Sequence, residues 1–102
     1  MGTTPFEQGD LLKIEGISAP VLVVSKNFFN RSEQAICCPI VKTSSPDPLH
    51  IKIMTEEIQG TVLCEQMKFI DLSVRGYKKI DSLRIEAILD ITDAIQSIFD
   101  YY

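Results

Sequence analysis

The chain has 102 residues, a formal charge of −4 and a pI near 4.8, with 45% hydrophobic and 24% charged residues. A chain of this length holds one small domain, residues 1–102, with a modest core, and an oligomer interface is a common way to bury more apolar surface, so a homodimer is expected. The acidic balance excludes strong non-specific binding of nucleic acid over the whole surface, although Lys42, Lys68, Arg75, Lys78, Lys79 and Arg84 leave room for one positive face.

The three cysteines, Cys37, Cys38 and Cys64, form no CxxC pair. Cys37 and Cys38 are neighbours on an expected strand, so their side chains point to opposite faces and cannot chelate one ion. They read as free buried thiols in a reducing compartment, and no metal site or cofactor is expected. The start MGTTPFEQGD lacks a basic segment followed by an apolar core, and no run reaches membrane-spanning length, so a soluble, cytoplasmic protein without a membrane partner is expected.

In chain order, Asp10 to Glu15 reads as a short strand, turning at Gly16-Ile17-Ser18 into the apolar strand Pro20 to Ser25. Lys26 to Ser32 reads as a helical turn or loop whose two phenylalanines plug the core. Gln34 to Val41 is a third buried strand, with Pro39 implying a bulge or an edge. Lys42 to Pro48 is the most loop-like segment, rich in Ser, Thr, Pro and Asp. His50 to Ile53 alternates as a half-buried strand does, Gly60 to Met67 is a further strand, and Tyr77 to Ile80 a last short one. From Ser82 or Arg84 to about Tyr101 the period becomes helical: Ile85, Ile88, Leu89, Ile95, Ile98 and Phe99 form a stripe, with Asp81 or Ser82 available as cap. The sum is α+β, a small SH3-like antiparallel β-barrel with a C-terminal α-helix.

Within Gly60 to Gly76, GTVLCEQMKFIDLSVRG, an apolar run breaks into an acid–amide pair and then into a cation-bearing turn. Glu65 and Gln66 fall where the strand leaves the core and polar groups can face a ligand. The stretch resembles the MazF/PemK (Kid) toxin family, through Gly60, Cys64, Glu65, Gln66, Lys68, Ile70, Asp71, Arg75 and Gly76. Gly9-Asp10, the strand Pro20 to Ser25 and Cys38-Pro39-Ile40 match the family in the same order, so the likeness runs from Gly9 to Gly76 by motif, and the helix matches in type.

The resemblance implies a MazF/PemK/CcdB-like barrel and the toxin of a type II toxin–antitoxin module: a homodimer that cleaves single-stranded RNA without a metal and binds a cognate antitoxin peptide. Cleavage would be attack of a ribose 2′-hydroxyl on the adjacent phosphate, which needs a base, an acid and a cation over the developing charge. Two departures bear on it. The family has an Arg before the strand Pro and a Thr after the Pro-Ile pair, and here those positions are Ala19 and Val41; the loop between the first two strands is also cut to Glu15 to Ser18. A guanidinium offers bidentate donors that alanine cannot replace. The remaining candidates are Glu65 and Arg75 for catalysis and Lys42, Thr43, Ser44, Gln66 and Lys68 for RNA binding.

Bland alternatives stand beside each. Lys42 to Pro48 reads more readily as a solvated surface loop, Glu65 as a surface carboxylate at a strand end or as one paired with Lys68, and Arg75 equally as a partner of Asp71 that braces the turn. His50, the lone histidine, faces no evident carboxylate in the sequence and is read as structural or exposed. A second function stays open, a catalytically lapsed member acting by protein binding, to an antitoxin peptide or a gyrase-like target. The aromatic end Phe99-Asp100-Tyr101-Tyr102 would serve as anchor, or as helix-end packing. An unrelated SH3-like adaptor ranks last.

Overall fold

The computed structural model describes residues 5–99. Its elements are β1 (Asp10–Ile14), β2 (Val21–Val23), α1 (Asn27–Asn30), β3 (Gln34–Val41), β4 (His50–Met54), β5 (Gln59–Leu63), β6 (Lys68–Asp71), β7 (Tyr77–Ser82) and α2 (Ile85–Ser97). The strands pair antiparallel in the order β4-β5-β3-β2-β1-β7, and β6 also pairs with β3. β3 is the pivot. Its middle, Cys37 to Pro39, faces β2 on one side, while on the other its first half faces β6 and its last two residues face β5. One long strand serving two successive partners is what curls the sheet into a half-barrel.

The curl makes two cores. Phe6, Leu12, Ile14, Val21, Val23, Ala35, Cys37, Ile70 and Leu72 fill one face. Leu11, Leu22, Cys38, Ile40, Ile53, Val62 and Cys64 fill the other, covered by Ile91 of α2. Consecutive residues therefore alternate between cores, as Leu11 and Leu12 or Cys37 and Cys38 do, because successive side chains of a strand point oppositely. That is why the Val-Leu-Val of β2 is buried throughout without a second copy of the chain. Burial of the three thiols follows, and it pushes Cys37 and Cys38 up to about 12 and Cys64 to about 11.

Several expectations are corrected. Phe28 and Phe29 do not plug the core: Phe28 is 68% exposed, and Phe29 packs edge-on against the exposed Phe69 at 6.2 Å. Asn30 goes inside instead, its Nδ2 donating to the Ser25 carbonyl while its Oδ1 accepts from the Ser25 hydroxyl, which itself accepts from the Ile36 N–H. Pro39 lies in an inner strand, neither at an edge nor at a bulge. Ile40 donates toward β2, to Pro20 O at 2.9 Å; by strand alternation the nitrogen of Pro39 faces the other side, into the gap between the pairings with β6 and β5, where no partner waits for an N–H.

The run expected to continue as one strand to Met67 breaks at Cys64, and β6 begins at Lys68. Helix α2 is capped at Arg84 without a side-chain hydrogen bond, not by Asp81 or Ser82. Its inward residue is Ile91, fully buried, with Ala94 and Ile95 packed beside it, whereas Ile85 and Leu89 of the expected stripe are exposed. The aromatic end beyond Phe99 lies outside the described residues. Among those described, no helix is long and apolar enough to cross a membrane.

Candidate functional site

The register of β2 on β3 pairs Val21 with Pro39 and Leu22 with Cys38. Ile40 N donates to Pro20 O at 2.9 Å, so Ala19, in the bend before β2, and Val41, the last residue of β3, lie at the same end of this strand pair. These are the two positions at which the chain departs from the toxin pattern, and both are half-buried and apolar or small. Immediately beyond Val41 the exposed loop of residues 42–49 crosses to β4.

That loop builds two adjoining clefts. Lys42, Thr43 and Ser44 line one of about 480 Å³ with Lys52, Met54 and Thr61. Ser44, Ser45 and Asp47 line a smaller one, about 290 Å³, with His50, Lys52 and Thr61. Ser44, Lys52 and Thr61 belong to both, so the clefts form one continuous depression. Lys52 faces Thr61 across the β4–β5 pair, and Lys52 and His50, two residues apart on β4, share a face.

Glu65 joins this depression through pairing that sequence spacing hides. His50 faces Leu63 across the ladder, and Cys64 N donates to Leu49 O at 2.9 Å. Buried Cys64 and half-buried Met67 pin the β5–β6 turn to the core, which leaves Glu65 and Gln66 outside. Glu65, two residues past Leu63, is then the diagonal neighbour of His50, within reach of long side chains. Its Oε2 lies 3.0 Å from His50 Nε2. The reading of His50 as facing no carboxylate is therefore corrected, and Glu65 pairs with this imidazole instead of Lys68.

The other ring nitrogen is also held. His50 Nδ1 lies 2.8 Å from the Ser45 carbonyl and 2.8 Å from Ser44 Oγ. A carbonyl and a carboxylate only accept, so the imidazolium, with both N–H groups donating, is the form that satisfies both ends of the ring. The Ser45 carbonyl first, and then the hydrogen bond to Glu65, raise the His50 pKa above its ordinary value, while the hydrogen bond from His50 holds the Glu65 carboxyl below its own. With side-chain exposures of 16% for His50 and 35% for Glu65, the pair is shielded on its inner side and open to a ligand at the carboxylate.

Lys68 and Arg75 lie elsewhere. They line a separate groove of about 460 Å³ with Gly16, Ile17, Phe69 and Val74. β6 lies between Glu65 and Arg75 in the chain, and the groove that Arg75 lines shares no residue with the two clefts. Asp71 is engaged by Ser73, whose N–H and hydroxyl both donate to its Oδ1. The ion pairs among the described residues are His50–Glu65 and Lys79–Asp10. The structure thus sets Glu65 against His50, which lines the smaller cleft with Ser44, while Lys42 and Thr43 line the adjoining cleft; Gln66 is exposed on the β5–β6 turn, and Arg75 and Lys68 line a separate groove. Among the described residues, no group of three or more His, Cys, Asp or Glu is arranged to hold a metal ion.

A curled antiparallel sheet carrying one C-terminal helix, with a polar depression between β3, β4 and β5, defines a small barrel of the toxin type. The chain belongs to the PemK-like, MazF-like toxin family of type II toxin–antitoxin systems, whose model matches residues 7–99. Solved structures agree on the fold. A MazE–MazF complex from Deinococcus radiodurans superposes with a TM-score of 0.84 at 17% identity, covering 96% of this chain and 98% of that one. An endoribonuclease from a mycobacterial species gives 0.81 at 16% identity over 95% of this chain and 92% of that one. An endoribonuclease in complex with its cognate antitoxin, also mycobacterial, gives 0.80 at 16% identity over 92% and 94%. Comparison with curated proteins yields no match.

Proposed function

We propose that the protein is a toxin that cleaves single-stranded RNA without a metal, at the depression formed by the loop after β3, by β4 and by the β5–β6 turn. The observation that carries this reading is the Glu65 carboxylate paired with His50, an imidazole that lines a cleft with Ser44 and Lys52 next to the cleft lined by Lys42. Glu65 takes the proton of a ribose 2′-hydroxyl. The 2′-oxygen then attacks phosphorus, the bond to the 5′-oxygen breaks, and that oxygen leaves with a proton from water, giving a 2′,3′-cyclic phosphate and a 5′-hydroxyl end. Lys42 and Lys52 stand where a cation over the phosphate is needed, and Thr43, Ser44 and Gln66 offer hydrogen bonds to splayed bases. Lys68 and Arg75 hold the strand further along, beside Phe69, an exposed ring on which a base can stack. Fold neighbours solved with antitoxins support a cognate antitoxin peptide as partner. A homodimer acting in the cytoplasm completes the reading.

The test is incubation of the purified protein with mixed single-stranded RNA in EDTA. Cleavage by the wild type, reduced about 10²–10⁴-fold in Glu65→Gln as for loss of a general base, is the expected result. One observation favours a second reading, a lapsed toxin that acts by binding protein: Ala19 and Val41 leave this end of the β2–β3 pair without the guanidinium and hydroxyl of the toxin pattern. Arrest of growth on expression with no cleavage in EDTA would select that reading and overturn the first.

A further inference from the structure

We propose that His50 is the positioning residue of the cleavage site: clamped by Ser44 and Ser45 on one side, it aims the Glu65 carboxylate at the ribose hydroxyl and keeps it ready to accept a proton. This rests on the ribonuclease reading of the same depression and names a residue that the toxin-like motif does not contain.

An exposed glutamate on a turn samples several rotamers, and a base that wanders by about 1 Å can lose 10²-fold in rate. Here one carboxylate oxygen is fixed at 3.0 Å by His50 Nε2, which leaves Oε1 and the outer lone pairs of Oε2 free of that bond to accept a proton. His50 is itself fixed, since its Nδ1 is bonded at 2.8 Å to the carbonyl of Ser45 and at 2.8 Å to the hydroxyl of Ser44. The loop backbone is held in turn where Asp47 Oδ1 accepts from the N–H of Leu49 and Asp47 O accepts from the N–H of His50. The chain of bonds therefore runs from loop backbone to imidazole, at the cleft, and on to the carboxylate beside it. That an orienting group stands behind a catalytic base is a general requirement of proton-transfer sites.

The charged groups around the pair give a definite pH response. Glu65 approaches from the β5–β6 turn, Asp47 from the loop after β3, and Lys52 from the same face of β4. The arrangement works when Glu65 is ionised and His50 is protonated. Activity should therefore rise through a pKa for Glu65 that lies below the ordinary 4.5, and fall as pH climbs through a His50 pKa above the ordinary 6.5.

The experiment is the pH profile of RNA cleavage in EDTA for wild type, His50→Gln and His50→Ala, the last with and without free imidazole. Expected are a fall in kcat of about 10- to 100-fold in both variants with KM changed little, an acid limb moved up toward the ordinary carboxylate range, and partial recovery of His50→Ala by imidazole. A His50→Gln protein that cuts with the wild-type kcat and acid limb overturns the inference and leaves the ribonuclease reading standing. A wild type that cuts no RNA at any pH overturns both. A second measurement needs no activity: His50 is the only histidine, so its imidazole NMR signal is assigned by inspection. Its titration should fall in Glu65→Gln relative to wild type, and an unchanged midpoint shows that the pair does not form in solution.

Discussion

Replacing Ile91 by Ala, and separately Leu89 by Ala, tests which face of α2 meets the sheet. Each change removes three carbons from an aliphatic side chain. Ile91 is 0% exposed and packs against the core containing Leu11, Leu22 and Val62, so all three carbons leave an apolar site that cannot collapse fully. At about 0.8 kcal/mol per buried carbon plus a cavity contribution, the loss is about 3 kcal/mol. Leu89 is 53% exposed, so the same deletion costs about 1 kcal/mol. In a domain of this size, each kcal/mol moves Tm by about 4–8 °C, which separates the two variants clearly. Urea unfolding followed by circular dichroism, at two protein concentrations a hundredfold apart, measures both. If Leu89→Ala costs as much as Ile91→Ala at the lower concentration, α2 docks by its other face and the account of the second core fails.

Asn30→Ala should cost about 1–3 kcal/mol by leaving the Ser25 carbonyl without a donor, whereas Phe28→Ala should stay within about 0.5 kcal/mol, the reverse of what a phenylalanine plug would give; chemical denaturation of the two variants decides. A thiol reagent at pH 8 should leave Cys37, Cys38 and Cys64 unmodified in the folded protein and label all three in urea, and one thiol reacting at the rate of free cysteine would show that burial has been overstated. Gly60→Ala places a Cβ 2.7 Å from the carbonyl oxygen of Val41 and 2.9 Å from Ile40, so β5 must move off β3. A loss of about 1–3 kcal/mol is expected, together with reduced RNA cleavage because Thr61 and the turn bearing Glu65 move with the strand. Wild-type stability in that variant would refute the close approach of β5 to β3.

The strands that read most easily were those with long apolar runs. Gln34 to Val41 appears with the boundaries its sequence implies, because a strand with no exposed residue, covered on both faces, needs apolar residues at nearly every position. Lys68–Asp71 did not read as a strand, since Lys68 and Phe69 are exposed and only Ile70 is buried; its pairing with Gln34 to Cys37, remote in sequence, makes it one. The helix was legible in type but not in orientation. Ile85, Leu89, Ile91 and Ile95 are all apolar, so periodicity alone admits a broad stripe, and contact with β4 and the second core selects the side centred on Ile91.

The site divides in the same way. That Glu65 and Gln66 leave the core is local information, carried by apolar Leu63 and Cys64 before them and Met67 after. That Ala19 and Val41 lack the groups of the toxin pattern is likewise written in the residues. What the chain order does not contain is the meeting of Glu65 with His50, 15 residues earlier, or the placing of Arg75 in a groove apart from that pair. Both follow from strand register, which non-local hydrogen bonds and the burial of Val62, Cys64 and Ile53 decide together. Residue types alone thus determined a small curled sheet with a helix and the polar turn that bears Glu65; only the tertiary structure decided which imidazole stands behind that carboxylate, because the partners of a β ladder are chosen by packing and not by proximity in sequence.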